Sequence, residues 1–317
     1  MSDTQQAKVD TNHTRLAGTW TAVSASTFGA VDYTLTLAVI GISIEGDMTG
    51  TVPGTSAIIS FEVGGIIDPT PRADAGPAAG YAAAWTAVGR AEKGLLHATT
   101  SWSAQFFPAI RPGGADRIVA QWVIAGSTRP GDAWESPNVG SVEYRRATVN
   151  ATMTSARERA VADVVADNRL KGTWYNELGS HMVIRVEPDY ITGTYYSKVG
   201  DAFGAYPLVG VFDRFPPTGE GASLGWNVGW KNTTHGDTHA ATAWAGQLFL
   251  GAKPEEDVIS TQWLLGVSCA PEKIWAATML GKDVFTRTQP KAAVVAAKGA
   301  HPSVEVIAEK GVKVAQL

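Results

Sequence analysis

Leu16-Ala-Gly-Thr-Trp20 returns later in the same chain as Leu170-Lys-Gly-Thr-Trp174. His97-Ala-Thr-Thr-Ser-Trp102 returns as His239-Ala-Ala-Thr-Ala-Trp244, Gln121-Trp122 as Gln262-Trp263, and Trp134 as Trp275. The offsets between paired tryptophans are 154, 142, 141 and 141, so order is kept and only loop lengths differ. A repeat of this size means two similar domains, since solenoid units are far shorter. Between the tryptophans, apolar and polar residues alternate, as in Tyr33-Thr-Leu-Thr-Leu37, Ile58-Ile-Ser-Phe-Glu-Val63 and Met182-Val-Ile-Arg-Val186. A period of two, broken by Gly, Pro and Asp, is the pattern of strands and tight turns. Many short strands with almost no helix predict a closed antiparallel barrel or a sandwich. Closure removes exposed strand edges, and eight strands leave room for packed side chains or one small ligand.

The expected organisation is all-β, with two tandem eight-stranded antiparallel up-and-down barrels joined by a short helical linker. Residues 1–15 read as a flexible polar arm, 16–145 as the first barrel, 146–169 as the linker, 170–289 as the second barrel and 290–317 as a tail. Within the linker, Val161, Val164 and Val165 recur at helical spacing behind Thr154 and Ser155, either of which could cap a helix. The tail is rich in Ala, Val and Lys, and Val304-Glu-Val-Ile307 offers an edge strand as the alternative to disorder.

Composition excludes several functions. The 317 residues carry a formal charge of -4, which argues against a nucleic-acid partner because phosphate binding rests on Lys and Arg clusters. No run of about 18 apolar residues exists to span a membrane as a helix. The opening Met1-Ser-Asp-Thr-Gln-Gln lacks the basic start and apolar stretch of a secretion signal, so the cytoplasm is the default expectation. Accordingly, the Asn-x-Thr triplets at Asn12, Asn150 and Asn232 are read as chance. A single cysteine, Cys269, excludes an internal disulfide and reads as an inert thiol, with an intermolecular disulfide left open. No Gly-x-Ser-x-Gly, phosphate loop or Cys-His pair suggests an enzyme.

In the second copy, several motifs stand in order over about 118 residues. They are Gly172-Thr-Trp-Tyr-Asn176, Leu178-Gly-Ser180, Thr192-Gly-Thr-Tyr195, Ser197-Lys-Val-Gly200, Leu224-Gly-Trp226, Trp230-Lys-Asn232, His239-Ala-Ala-Thr-Ala-Trp244, Thr261-Gln-Trp-Leu-Leu265, and Trp275 with Gly281-Lys-Asp283. Together they resemble the avidin/streptavidin family of biotin-binding barrels. The resemblance implies biotin as a bound ligand, no cofactor and no catalysis. It implies that Asn176, Ser180 and Tyr195 donate to the urea oxygen, and that Asp283 and Ser197 accept from the urea N–H groups. Thr242 would meet the sulfur. Trp230, Trp244 and Trp263, with Leu265, would box the apolar body, where rigid indoles bury much surface at little entropic cost. Val199, Gly200 and Asp201 fall in the loop that meets the carboxylate. Ala240 stands where streptavidin-type members carry a serine, Asp201 replaces an asparagine, and the loop before His239 is one residue longer. Trp275 and its counterpart Trp134 match the tryptophan that caps a neighbouring barrel's pocket. This implies an intrachain barrel–barrel pair and a homodimer.

Aligned on the second copy, the first keeps Trp20, Thr100, Trp102, Trp122 and Trp134. It replaces Asn176 by Ala22, Tyr195 by Val52, Trp230 by Gly89 and Asp283 by Val142. Two readings follow: a degenerate barrel kept as a structural partner, or a pocket for a different, more apolar ligand. A chain that is only a barrel scaffold for a non-biotin ligand is a further alternative. His235-Gly-Asp-Thr-His239 has metal-like spacing, but no third ligand is evident, so it reads as a solvated loop and no metal is expected.

Overall fold

The computed structural model describes residues 11–23, 33–51, 58–89, 97–147, 169–187, 190–199, 202–291 and 305–306. The first barrel runs through β1 (Gly18–Ala22), β2 (Thr34–Ile40), β3 (Ser43–Thr51), β4 (Ile58–Ile67), β5 (Tyr81–Gly89), β6 (Ala98–Phe107), β7 (Arg117–Gly126) and β8 (Pro137–Arg146). Each strand pairs antiparallel with the next, and β8 returns to β1. The second repeats this order with β9 (Gly172–Asn176), β10 (His181–Val186), β11 (Ile191–Ser197), β12 (Gly204–Phe212), β13 (Ala222–Asn232), β14 (Gly236–Phe249), β15 (Val258–Val267) and β16 (Thr278–Thr286). The β15–β16 and β16–β9 pairings close it. The fold is therefore all-β, with two tandem up-and-down barrels. In the tail, β17 (Glu305–Val306) pairs with Leu280 and Met279 of β16. The helix expected over Thr154–Asn168 lies outside the described residues. Part of the expected arm is ordered: Asn12–Leu16 form a 3-10 turn, and Arg15 pairs with Asp116.

The Leu-x-Gly-Thr-Trp repeat explains itself as architecture. Trp20 Nε1 donates to the Leu16 carbonyl at 2.9 Å, and Trp174 Nε1 to that of Leu170 at 2.8 Å. Arg146 lies 4.1 Å over Trp20 and Arg287 lies 3.7 Å over Trp174, so each fully buried indole is held on its edge and its face. Gly18 and Gly172 sit at φ +128° and +103°, which an L side chain rarely adopts.

The barrels pack against each other through strands that are buried on both faces. Along β6 every residue is buried, and along β14 nine consecutive residues, Ala240–Leu248, are buried. Their inward residues include Thr100, Trp102, Thr242 and Trp244. The alternate residues Thr99, Ser101 and Ser103, and Ala241, Ala243 and Ala245, face the other barrel and are small. Ala82 and Ala84 meet Ala241 and Ala243, while Val123 and Ala125 meet Ala245 and Leu264. The close approach is filled with hydrogen bonds. Thr86 donates to Asn227 at 3.0 Å, Thr99 to Ser223 at 3.1 Å, Ser101 to the Trp244 carbonyl at 2.6 Å, and Gln105 to the Val267 carbonyl at 2.8 Å. The contacts recur by a local two-fold: Gly80 N–H meets the Cys269 carbonyl, and Gly221 N–H the Thr128 carbonyl, both at 2.9 Å.

Asn227 is fully buried and spans this seam, donating to the Gly64 carbonyl at 3.0 Å and to that of Val209 at 3.4 Å. Replacing it with alanine removes the bond across the seam to Thr86, which keeps only Ser101, and the amide donor to the Gly64 carbonyl. Asn227→Ala is expected to lower unfolding stability by about 1–3 kcal/mol, read from the urea midpoint.

Candidate ligand-binding site

The site grows from the inward alternation of the second barrel. On β11 the buried positions are Ile191, Gly193, Tyr195 and Ser197, so Tyr195 and Ser197 share the interior face. Asn176 ends β9 opposite Phe285, and Asp283 lies on β16 opposite Thr261. Asp283, 5% exposed, is the polar centre of this end. Trp244 Nε1 donates to its Oδ2 at 2.9 Å, Asn176 Nδ2 stands 3.4 Å from Oδ1, and the Trp263 side chain bonds it as well. Burial pushes the Asp283 carboxyl up to about 6, against the pull of these donors. Ser180 is fully buried; its Oγ accepts from Lys198 N–H at 2.9 Å and is bonded to Tyr195. Burial, with the Asp283 charge second, also pushes the Tyr195 phenol well up, so it stays a donor.

Aromatic walls complete the site. Tyr195 stacks on Trp244 at 5.3 Å and meets Trp230 edge-on at 5.7 Å. Trp230 Nε1 donates to Thr242 Oγ1 at 2.7 Å, which fixes the indole across the barrel. Gly281 faces Trp263 closely enough that a Cβ would overlap the indole, and Gly140 does the same under Trp122 in the first barrel. Tyr206, which the sequence reading missed, packs edge-on against Trp230 at 5.0 Å and donates to the Phe203 carbonyl at 3.0 Å. Its only signal was strand alternation over Ala205-Tyr-Pro-Leu208. Ala240 is buried and Leu265 half-buried, while Val199 stands 38% exposed at the lip beside Ser197. Gly200 and Asp201 lie outside the described residues.

Strand register pairs the two interiors residue by residue. Trp20 and Trp174 face Leu35 and Met182, and these face Met48 and Tyr195. Met48, not Val52, is therefore the counterpart of Tyr195. The loop lengths hid this in the sequence. The same bookkeeping sets Tyr33 against Ser180, Gly50 against Ser197 and Phe61 against Tyr206, and keeps Ala22 against Asn176 and Val142 against Asp283. In the first barrel Trp102 bonds Tyr144, which stands where the second barrel has Phe285. Val142, Met48, Phe61 and Tyr144 join one continuous apolar core there.

Trp134 sits in the 3-10 turn Pro130–Glu135 with 76% of its surface exposed, so within one chain it covers neither pocket. The side chain of Trp275 is not described. An open crevice of about 630 Å³ lies elsewhere, near Arg15, Arg72 and Tyr81. Its two arginines already pair with Asp116 and Asp74, so it lacks the convergent free polar groups of the barrel interior.

A closed barrel with an aromatic box and a buried polar end defines a small-ligand-binding β-barrel. The comparisons narrow this class. The family model described as Avidin family matches residues 164–288. Avidin-related protein 4/5 of Gallus gallus is 33% identical over 124 residues, covering 37% of this chain and 77% of that protein. Avidin of Gallus gallus is 33% identical over 128 residues with the same coverage, and Avidin-related protein 7 of Gallus gallus is 32% identical over 127 residues. The chain belongs to the avidin family.

Because burial raises the Asp283 carboxyl, its ionised form costs stability above pH 6, and the cost is relieved as pH falls toward the unfolded value of about 4. Two donors to this carboxylate are indoles. Tryptophan fluorescence of the ligand-free protein should therefore show a step centred near pH 6 that Asp283→Asn removes.

Proposed function

We propose that the second barrel binds biotin without transforming it, and that the first barrel is its structural partner. The carrying observation is the buried Asp283 carboxylate, flanked by Asn176 and walled by Trp244 and Trp263. A urea offers N–H groups that suit a carboxylate and a carbonyl oxygen that suits the donors Asn176, Ser180 and Tyr195. In a dry site such charge-assisted bonds gain strength. Ser197 adds a second acceptor, Thr242 meets the sulfur, and Trp230, Trp244, Trp263 and Leu265 take the rings and chain. Val199, Gly200, Asp201 and Ala240 belong to the mouth, where the ligand carboxylate lies. No residue of this set is poised to attack a ligand, so the site is that of a binder and not of an enzyme.

The first barrel supports a structural role because each position of the urea clamp is apolar or aromatic there, Ala22, Tyr33, Met48, Gly50 and Val142, while Thr100 alone keeps its hydroxyl. The N–H that Asp283 would serve is served there by Tyr144. On this reading the working units are 16–145 and 170–289, held as an intrachain pair. The exposed Trp134 is then available to a second chain, so the capping contact forms between chains in a homodimer.

Calorimetric titration with biotin is expected to give one site per chain. Asp283→Ala should weaken it by about 3 kcal/mol, a loss of roughly a hundredfold, since a charged acceptor is removed from a buried set. Below pH 6 the affinity should fall about tenfold per unit as the carboxyl protonates. Two sites per chain would sink the structural reading of the first barrel. Light scattering should give the mass of two chains, and Trp134→Ala should speed biotin release; unchanged release would remove the capping role.

A further inference from the structure

The two ends of the barrel–barrel seam carry matching His–Asp pairs, and they differ in one respect. At one end His97 Nδ1 lies 2.7 Å from Asp213 Oδ2, a direct bond. At the other, His239 Nδ1 and Asp68 Oδ2 stand 3.5 Å apart. A third group has entered there: Asp237 Oδ1 is also 3.5 Å from His239 Nδ1. In sequence Leu95 occupies the place of Asp237 two residues before His97, so the simpler end has no second carboxylate at that position. Asp68 is 4% exposed, and no N–H or hydroxyl donor reaches its buried Oδ2, whose neighbour is the Asp237 carboxyl. Its Oδ1 is satisfied by Thr70 N–H at 2.9 Å, so Oδ2 is the atom left facing the cluster.

We propose that Asp68, Asp237 and His239 form a binding site for a divalent transition-metal ion that joins the first barrel to the second. The distances suit an ion better than they suit direct pairing. Ligands at about 2.1 Å around a tetrahedral ion stand about 3.4 Å from each other. Both nitrogen–oxygen separations are 3.5 Å, long for a hydrogen bond and close to that edge. The candidate ligand atoms of the three residues all lie within 4.8 Å of one another. Without an ion, His239 Nδ1 donates to the Thr70 carbonyl at 2.9 Å, and an ion would take the place of that proton. One imidazole with two carboxylates favours the zinc-like ions over Mg²⁺ or Ca²⁺, which prefer oxygen alone.

Lys231 Nζ lies 2.8 Å from Asp237 Oδ2 and 3.3 Å from Thr70 Oγ1, so it competes from the solvent side. Asp237 Oδ1 accepts from the His239 backbone N–H at 2.8 Å and lies beside the imidazole, and Asp68 is the carboxylate that Lys231 does not bond. His235 takes no part; the segment supplies Asp237 and His239, and the third ligand comes from the other barrel, 169 residues before Asp237 in sequence and 171 before His239.

The test uses the full chain without biotin, so its result is independent of the binding reading above. Co²⁺ is titrated by calorimetry and by its visible absorption, with Zn²⁺ in competition. One Co²⁺ per chain is expected, displaced by Zn²⁺ and not by Ca²⁺. Removing residues that merely orient a ligand costs about tenfold or more, so Asp68→Asn, which removes a ligand, should weaken Co²⁺ at least that much. His239→Asn should do likewise while tolerating the backbone at φ 53°. Lys231→Met, which removes the competitor, should tighten binding. Zn²⁺ should raise the thermal midpoint of the native chain and not that of Asp68→Asn. No Co²⁺ uptake at millimolar ion, equal uptake by Asp68→Asn, or displacement by Ca²⁺ would each overturn the proposal.

Discussion

The structure depends on a seam in which two strands, β6 and β14, are buried on both faces. A strand in that position must satisfy two demands with one alternation. Its inward residues line a barrel, and its outward residues must let a second sheet approach closely. The outward sets Thr99, Ser101, Ser103 and Ala241, Ala243, Ala245 meet the second demand by being small, and the Thr99 and Ser101 hydroxyls find acceptors across the seam. Glycine carries the same constraint where contact is tightest. A Cβ on Gly225 would overlap Thr86 and Ser101, and one on Gly266 would overlap Ser103. The barrels are therefore fitted parts of one body.

Much of the architecture was legible because large residues at fixed offsets survive change. A tryptophan that fills a barrel end, as Trp20 and Trp174 do, cannot be replaced cheaply, so the repeat stands out. The avidin family resemblance rests on the same economy. What escaped the sequence was decided by loops and by contacts between distant segments. Loop length displaced the alignment of β3, so Val52 was set against Tyr195 where register selects Met48. No local pattern announces that Asp68, on the loop after β4, meets His239 near the start of β14. Nor does any pattern announce that Trp134 points to solvent within the chain. Pair contacts across a seam leave no periodic trace in either partner.

The interiors of the two barrels differ by a coordinated exchange. In the second, Asp283 accepts the Trp244 N–H and Phe285 fills the layer behind. In the first, the apolar Val142 takes the aspartate's place and the tyrosine Tyr144 takes the phenylalanine's, with Trp102 now bonded to Tyr144. A buried indole N–H left alone would cost about 1–3 kcal/mol. Losing the aspartate without gaining the hydroxyl would therefore have weakened the fold. The exchange retires a buried charge and keeps the donor satisfied. Met48 and Phe61, facing each other across β3 and β4, fill the space that Tyr195 and Tyr206 line in the second barrel. At these positions the first barrel is packed as apolar core, while the second holds a buried carboxylate that the Trp244, Asn176 and Trp263 donors help to compensate.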